Sequence, residues 1–207
     1  MENILRLYEL PYDPKRPLLC FDERPCQLIE DVLVPLPMEP GKSKREDYHY
    51  KRNGVCTVFM AFEPLTGRHF VQVRARRTKK DYAEFMQWLA AQYPEAEAIS
   101  LIQDNLNTHN PGSFYQAFTP DVAFALAQRF EMHYTPTKAS WLNMVEIELS
   151  ILSKQCLDRR IGDIETLKHE VLTWAHKRDE QRATIRWQFT QVKARDKFKR
   201  FYPVYQD

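Results

Sequence analysis

Glycine is scarce in this chain, with five residues among 207. That excludes a collagen-like or glycine-rich polymer and leaves few positions where the backbone turns left-handed at no cost. Cysteine is also sparse. The four cysteines, at 20, 26, 56 and 156, include no close Cys-x-x-Cys pair, which argues against a zinc ribbon. They are expected to be small buried hydrophobes rather than disulfides. No apolar run approaches the roughly 20 residues that cross a bilayer, and the N-terminal MENILRLYELPYDPKRP lacks a signal-peptide core. The expectation is a cytoplasmic protein without a membrane partner. Low-complexity tracts and internal repeats are missing too.

What is present suits one sizeable globular domain: 43% hydrophobic and 28% charged residues. The net charge of +2 says little, but its distribution says more. Five cations and no anion occupy the stretch Arg74 to Lys80, and nine cations against three anions lie between Lys177 and Arg200. Such stripes suit a phosphate backbone, and they equally suit a solvated helix face.

Hydrophobic periodicity gives a first strand at PLLCF, running into Asp22. A Pro- and charge-rich stretch from 34 to 54 reads as a long exposed connection. Val55–Glu63 and His69–Arg76 read as a hairpin around the turn Pro64-Leu-Thr-Gly67. Thr78 and Asp81 form a capping box for a helix carried by Tyr82, Phe85, Met86 and Leu89. Ala98–Gln103 is an apolar strand ending at Asp104. Thr119-Pro120 opens a short helix to about Gln128, and Phe130–Tyr134 is a last strand. Leu142, Val145, Leu149, Leu152 and Cys156 form one helical stripe. Asp163 caps another helix. The order is that of an α/β sheet with helices packed on it.

Two apolar strands thus run into an aspartate. A carboxylate at the end of a buried strand is costly unless it has a partner or a task, although a turn or cap is the everyday alternative. Neighbouring strand ends lie about 5 Å apart, so Asp22 and Asp104 can converge on one cation. The helix of NMVEIELS offers a third carboxylate. Glu146 and Glu148 flank its apolar stripe on opposite sides, so helical geometry does not choose between them.

Four blocks carry a family resemblance: CFDERPCQLI around Asp22, QDNLNTH from Gln103 to His109, TPTKASWLNMVEIELSIL from Thr135 to Leu152, and the C-terminal WQFTQVKARDKFKRFYP. Over nearly its whole length the sequence resembles the catalytic domain of mariner-like DDE transposases, in their bacterial insertion-sequence branch. The resemblance implies a ribonuclease H-like fold: a mixed five-stranded sheet with helices on both faces. It implies Asp22, Asp104 and Glu146 as catalytic, metal-ligating residues, and so selects Glu146 over Glu148. Asn105, His109 and Asn143 would support them, with helix capping an equal reading for Asn105 and a buried, hydrogen-bonded role for His109. Two Mg2+ or Mn2+ ions per site would serve cleavage and strand transfer, so no covalent nucleophile is expected. Without metal, at least one of the three carboxylates should have a raised pKa.

The partners implied are double-stranded DNA, at transposon ends and target, and a second copy of the chain in a homodimer. Nucleoid association would follow. Lys42, Lys44, Arg45, Arg74, Arg76, Arg77, Lys79, Lys80, Lys193, Arg195 and Lys197 are the candidate DNA contacts. Trp141 and Trp187 have faces that can stack on unpaired bases, with packing the expectation for both. Residues 1–207 would form a single catalytic domain with a basic C-terminal extension at 177–207. Two features depart from the pattern. Asp104 and Glu146 are 41 residues apart, longer than the usual mariner-type spacing, with the extra length in HNPGSFYQAFTPDVAFALAQRF. The helix-turn-helix part that recognises transposon ends is expected to be missing, which would make the chain a catalytic half, a truncated frame or one product of a split gene. A regulatory remnant and a simple nuclease are the alternative functions.

Overall fold

In the computed structural model, which describes residues 1–34, 38–41 and 47–202, five strands form one mixed sheet. They are β1 (Leu18–Asp31), β2 (Tyr50–Glu63), β3 (Arg68–Arg74), β4 (Ile99–Gln103) and β5 (Phe130–Tyr134), in the spatial order β3-β2-β1-β4-β5. β1, β2 and β3 pair antiparallel, whereas β4 lies parallel to both β1 and β5. Gly67 closes the β2–β3 turn at φ +75°, and a Cβ there would meet the backbone of Arg182 and Ala183 at 2.8 and 2.9 Å. Conformation and close approach both require glycine at that point.

Helices α1 (Glu2–Tyr8), α2 (Lys79–Ala91), α3 (Gly112–Ala117), α4 (Pro120–Gln128), α5 (Val145–Gln155), α6 (Ile164–Glu180) and α7 (Gln191–Lys197) cover the sheet. Strand alternation divides the core. Leu19, Phe21, Phe59 and Leu101 point to one face, where Tyr82, Phe85 and Leu89 of α2, Phe114 of α3 and Leu126 of α4 meet them. Cys20, Met60, Phe62 and Ile102 point to the other, against Leu149 and Leu152 of α5, Leu167 and Val171 of α6, and Ile4 and Leu5 of α1. The expected mixed sheet with helices on both faces is therefore observed.

Local signals set several boundaries. Thr78 and Asp81 exchange the two hydrogen bonds of a capping box at α2, Asp163 accepts from the Thr166 N–H at α6, and Pro120 opens α4. The stretch expected to hold extra length folds into α3 and α4, which lie on the α2 side of the sheet.

Two expectations are corrected. Asp22 is not beyond the end of its strand: β1 continues to Asp31, held by antiparallel pairing with β2. Residues 50–54, read as part of the exposed connection, are exposed but belong to β2, and Tyr50–Arg52 pair with Ile29–Asp31. Cys20, Cys56 and Cys156 are buried and all four cysteines are free. Among the described residues no helix is long and apolar enough to cross a membrane.

Candidate active site

Strand register brings the two aspartates level. Leu18, Leu19 and Cys20 of β1 pair with Ser100, Leu101 and Ile102 of β4. The same register, carried two steps further, would align Asp22 with Asp104, the first residue after β4, and the charge of Asp104 does reach Asp22. Asp22 shares its strand face with Leu18 and Cys20, the face that α5 covers. Glu146 lies in the first turn of α5. Asn143, 1% exposed, ties the two together. Its Nδ2 donates to the Phe21 carbonyl at 2.8 Å, and its own carbonyl accepts from the Glu146 N–H at 3.1 Å. The start of α5 is thereby clamped to the residue before Asp22. A cleft of about 500 Å³ opens there, lined by Asp22, Arg24, Glu146, Ser150, Ser153 and Lys154, among others.

The electrostatics follow from this crowding. Burial, with the negative charges of Glu146 and Asp104, pushes the Asp22 carboxyl up to about 7, although the Glu23 N–H on its Oδ1 opposes the shift. Asp104 is held below its ordinary value, chiefly by its hydrogen bond to His109. His109 is 1% exposed, with Nδ1 2.5 Å from Asp104 Oδ1 and Nε2 2.5 Å from Glu23 Oε2. Burial pulls the His109 pKa down, but the two carboxylates outweigh it and raise it to about 9. Among the described residues, no group of three or more His, Cys, Asp or Glu side chains is drawn close enough to enclose an ion.

Glu148, which helical geometry alone left equal to Glu146, has a different environment. It is 1% exposed. It bonds His69 Nε2 at 3.0 Å and receives Arg178 Nη2 at 2.8 and 3.0 Å, while His69 Nδ1 meets Asp179 Oδ1 at 2.7 Å. Burial raises the Glu148 pKa, but the bonds from His69 and Arg178 prevail and lower it. This carboxylate is committed to fastening α5 to β3 and α6.

The other expected residues are dispersed. Asn105 is exposed, and the next helix, α3, has Pro111 at its N-cap, so Asn105 caps no helix. Arg74 is bound to Glu84 at 2.7 Å and to Gln72, Lys80 lies 3.9 Å from Glu84, and Arg195 grips Glu2. Lys193 donates to the Gln188 carbonyl, and Lys197 lies over Phe189 and Phe198. Arg76 and Arg77 are exposed, and the charge of Arg77 reaches Asp104. Lys42, Lys44 and Arg45 lie outside the described residues. Trp187 is half-buried against Tyr8, as packing predicts, but Trp141 is 45% exposed and stacks on Trp187 with ring centroids 6.4 Å apart. Its position on the outside of the aromatic cluster explains the exposure.

Several participants were not singled out in the sequence. Arg24 and Lys154 stand in the cleft, visible only once β1 and α5 are brought together. Gln103, fully buried, accepts from the Tyr82 hydroxyl and donates to the His109 carbonyl, bracing the loop that carries Asp104.

Comparison with known proteins agrees with this architecture. A family model described as DDE superfamily endonuclease matches residues 17–168. No curated protein matches the chain. Among solved structures, the Mos1 mariner paired end complex with Mn is similar at 15% identity and a TM-score of 0.56, over 87% of this chain and 57% of that one. A pre-cleavage Mos1 transpososome is similar at 14% identity and a TM-score of 0.55, over 88% of this chain and 59% of that one. At these identities the likeness is one of fold, and the chain spans less than two thirds of the solved chains it matches. The matched family segment covers β1 through the start of α6, and with it every residue of the cleft: the chain belongs to the DDE superfamily endonucleases.

Proposed function

We propose that this chain is the catalytic domain of a mariner-like DNA transposase of the bacterial insertion-sequence branch. It cuts DNA at transposon ends and joins the freed 3′ end to target DNA. One observation supports this reading most: the negative charges of Asp104 and of Glu146, whose helix start Asn143 ties to the Phe21 carbonyl, both reach Asp22. Family membership and the mariner-like fold support it.

The donor set fits a hard divalent cation such as Mg2+ or Mn2+. Three carboxylates offer oxygen, and Asn143 Oδ1 is a buried acceptor without a partner among the described residues. Asp22, Asp104 and Glu146 would hold the metal, as two ions per site. Bound there, it would supply charge neutralisation at the scissile phosphate and would acidify the attacking water or 3′-hydroxyl. Asp22 gives up its own proton near neutral pH, so it ionises readily when a cation arrives. Arg24 and Lys154 flank the carboxylates and have no ion pair among the described residues, which leaves both cations for phosphate oxygens. Arg76, Arg77 and Lys79 extend the positive surface beside Asp104. Residues 1–207 act as one catalytic unit, with DNA ends brought together in a homodimer, in keeping with the paired-end and transpososome assemblies of the similar proteins.

The test supplies pre-cleaved transposon-end DNA, target DNA and Mn2+, and looks for joined products. Joining that disappears in Asp104→Asn and Glu146→Gln is the expected result. Nicking without joining makes the chain a nuclease, and neither activity makes it a regulatory partner of a longer transposase.

A further inference from the structure

Glu23 has no place in the chemistry described so far, yet it is an expensive residue. Its side chain is 3% exposed, and strand alternation turns it to the face opposite Asp22. A carboxylate buried there needs a partner, and its partner is His109 Nε2 at 2.5 Å. The imidazole is fixed on its flanks as well: Phe21 meets it edge-on with centroids 5.2 Å apart, and Tyr82 lies 5.0 Å away. The remaining ring nitrogen, Nδ1, is 2.5 Å from Asp104 Oδ1. That same oxygen accepts the Leu106 N–H at 3.2 Å. Both side-chain hydrogen bonds of Asp104 therefore fall on Oδ1, and Oδ2 has no hydrogen-bond partner among the described residues.

We infer that Glu23 is a positioning residue: through His109 it fixes which oxygen Asp104 presents, reserving Oδ2 for the cation. The inference rests on the reading of Asp104 as a cation ligand. The brace spans β1 and the loop after β4, so it also holds Asp104 at the level of Asp22. Its physical content is reach. The Glu23 carboxylate arrives at Nε2 only with its full side-chain length, and a shorter acid withdraws the oxygen by about one methylene. An amide of the same length still accepts from Nε2–H. Outer partners of metal ligands typically alter affinity by about 10–100-fold.

Two conservative variants separate reach from charge. Mn2+ affinity is measured by titration calorimetry on the full chain without DNA, with the melting temperature recorded for each variant. Glu23→Asp keeps the charge and loses the reach, and it weakens Mn2+ binding about tenfold or more. Glu23→Gln loses the charge and keeps the reach, and it weakens Mn2+ binding clearly less than Glu23→Asp does. A fall in melting temperature with unchanged affinity in Glu23→Asp makes the residue merely structural and overturns the inference, as does a larger loss in Glu23→Gln than in Glu23→Asp. Asp104→Asn distinguishes the two levels of the argument. If it binds Mn2+ as the unsubstituted chain does, or if neither binds, the reading of the site fails and the inference with it. If Asp104→Asn abolishes binding and Glu23→Asp does not weaken it, only the inference fails.

Discussion

His69 and His109 are built from the same parts. Each is nearly inaccessible, each has a carboxylate on both ring nitrogens, and each links a strand of the sheet to another element. The difference is a single guanidinium. At His69, Arg178 joins the group, so two cations face Glu148 and Asp179 and the formal charge closes to zero when His69 is protonated. At His109 no arginine bonds to the group among the described residues, and Arg77 reaches Asp104 only through its charge. Asp104 in turn bears on Asp22, as Glu146 does. The first network is a closed rivet, and the second leaves Asp104 Oδ2 without a hydrogen bond among the described residues, open to a cation under the proposed function. Similar residues thus give a structural joint at α5 and, under the proposed function, a brace for the reactive carboxylates.

Breaking the rivet has the largest expected effect. Glu148→Ala strands His69 and Arg178 in the core, and loss of one partner from a buried charge network costs about 3–5 kcal/mol. For a chain of this size that lowers the melting temperature by roughly 6–20 °C. Mn2+ affinity of the folded molecules stays the same, which thermal melts and calorimetry check together. Next is the reactive edge. Asp104→Asn or Glu146→Gln lowers strand joining by about 10²–10³-fold or more; Glu146→Gln leaves the melting temperature unchanged, whereas Asp104→Asn lowers it because buried His109 loses a carboxylate partner. A Glu146→Gln variant that melts like Glu148→Ala would erase the distinction between the two glutamates.

The smallest effect carries the sharpest sign. The folded pKa of Asp22, about 7, stands above its ordinary value of 3.8. A raised folded pKa contributes stability that is fully present below the unfolded pKa and lost as pH rises through the folded one. Metal-free protein therefore loses stability between about pH 4 and pH 7 on account of this group. Asp22→Asn removes that loss and raises the metal-free melting temperature at pH 8 by about 2–4 °C for each kcal/mol recovered. At pH 4 the two proteins melt alike. A variant that melts lower than the unsubstituted chain at pH 8 would show Asp22 to be a structural anion.

Much of the fold was legible because its local signals are strong. The capping box at Thr78, Pro120 at the start of α4, the cap at Asp163 and the β5 segment all appear where residue chemistry puts them. β1 was shortened because Pro25 and five charged residues follow Phe21 within the strand. They are accommodated because β1 pairs with β4 only through Cys20 and runs on with a neighbour on one side. Helices α1, α3 and α7 have six or seven residues each, too few for a period to declare itself. Asp104 was visible from its strand. The separation of Glu146 from Glu148 was not, because it depends on His69 and Arg178, distant in sequence from α5. The same holds for Glu23, whose partner His109 lies 86 positions away. The acidic edge is written locally, and the groups that brace it are assembled by the fold.

The most direct test of the central claim is the melting temperature of the chain with and without saturating Mn2+, compared with an Asp22→Asn, Asp104→Asn double variant. A cation that binds only the folded site adds about 2.7 kcal/mol at one hundred times its Kd, or roughly 5–10 °C. The account predicts that rise in the unsubstituted chain and none in the double variant. An equal rise in both would place the cation elsewhere and contradict the claim that Asp22, Asp104 and Glu146 form a metal-dependent active site.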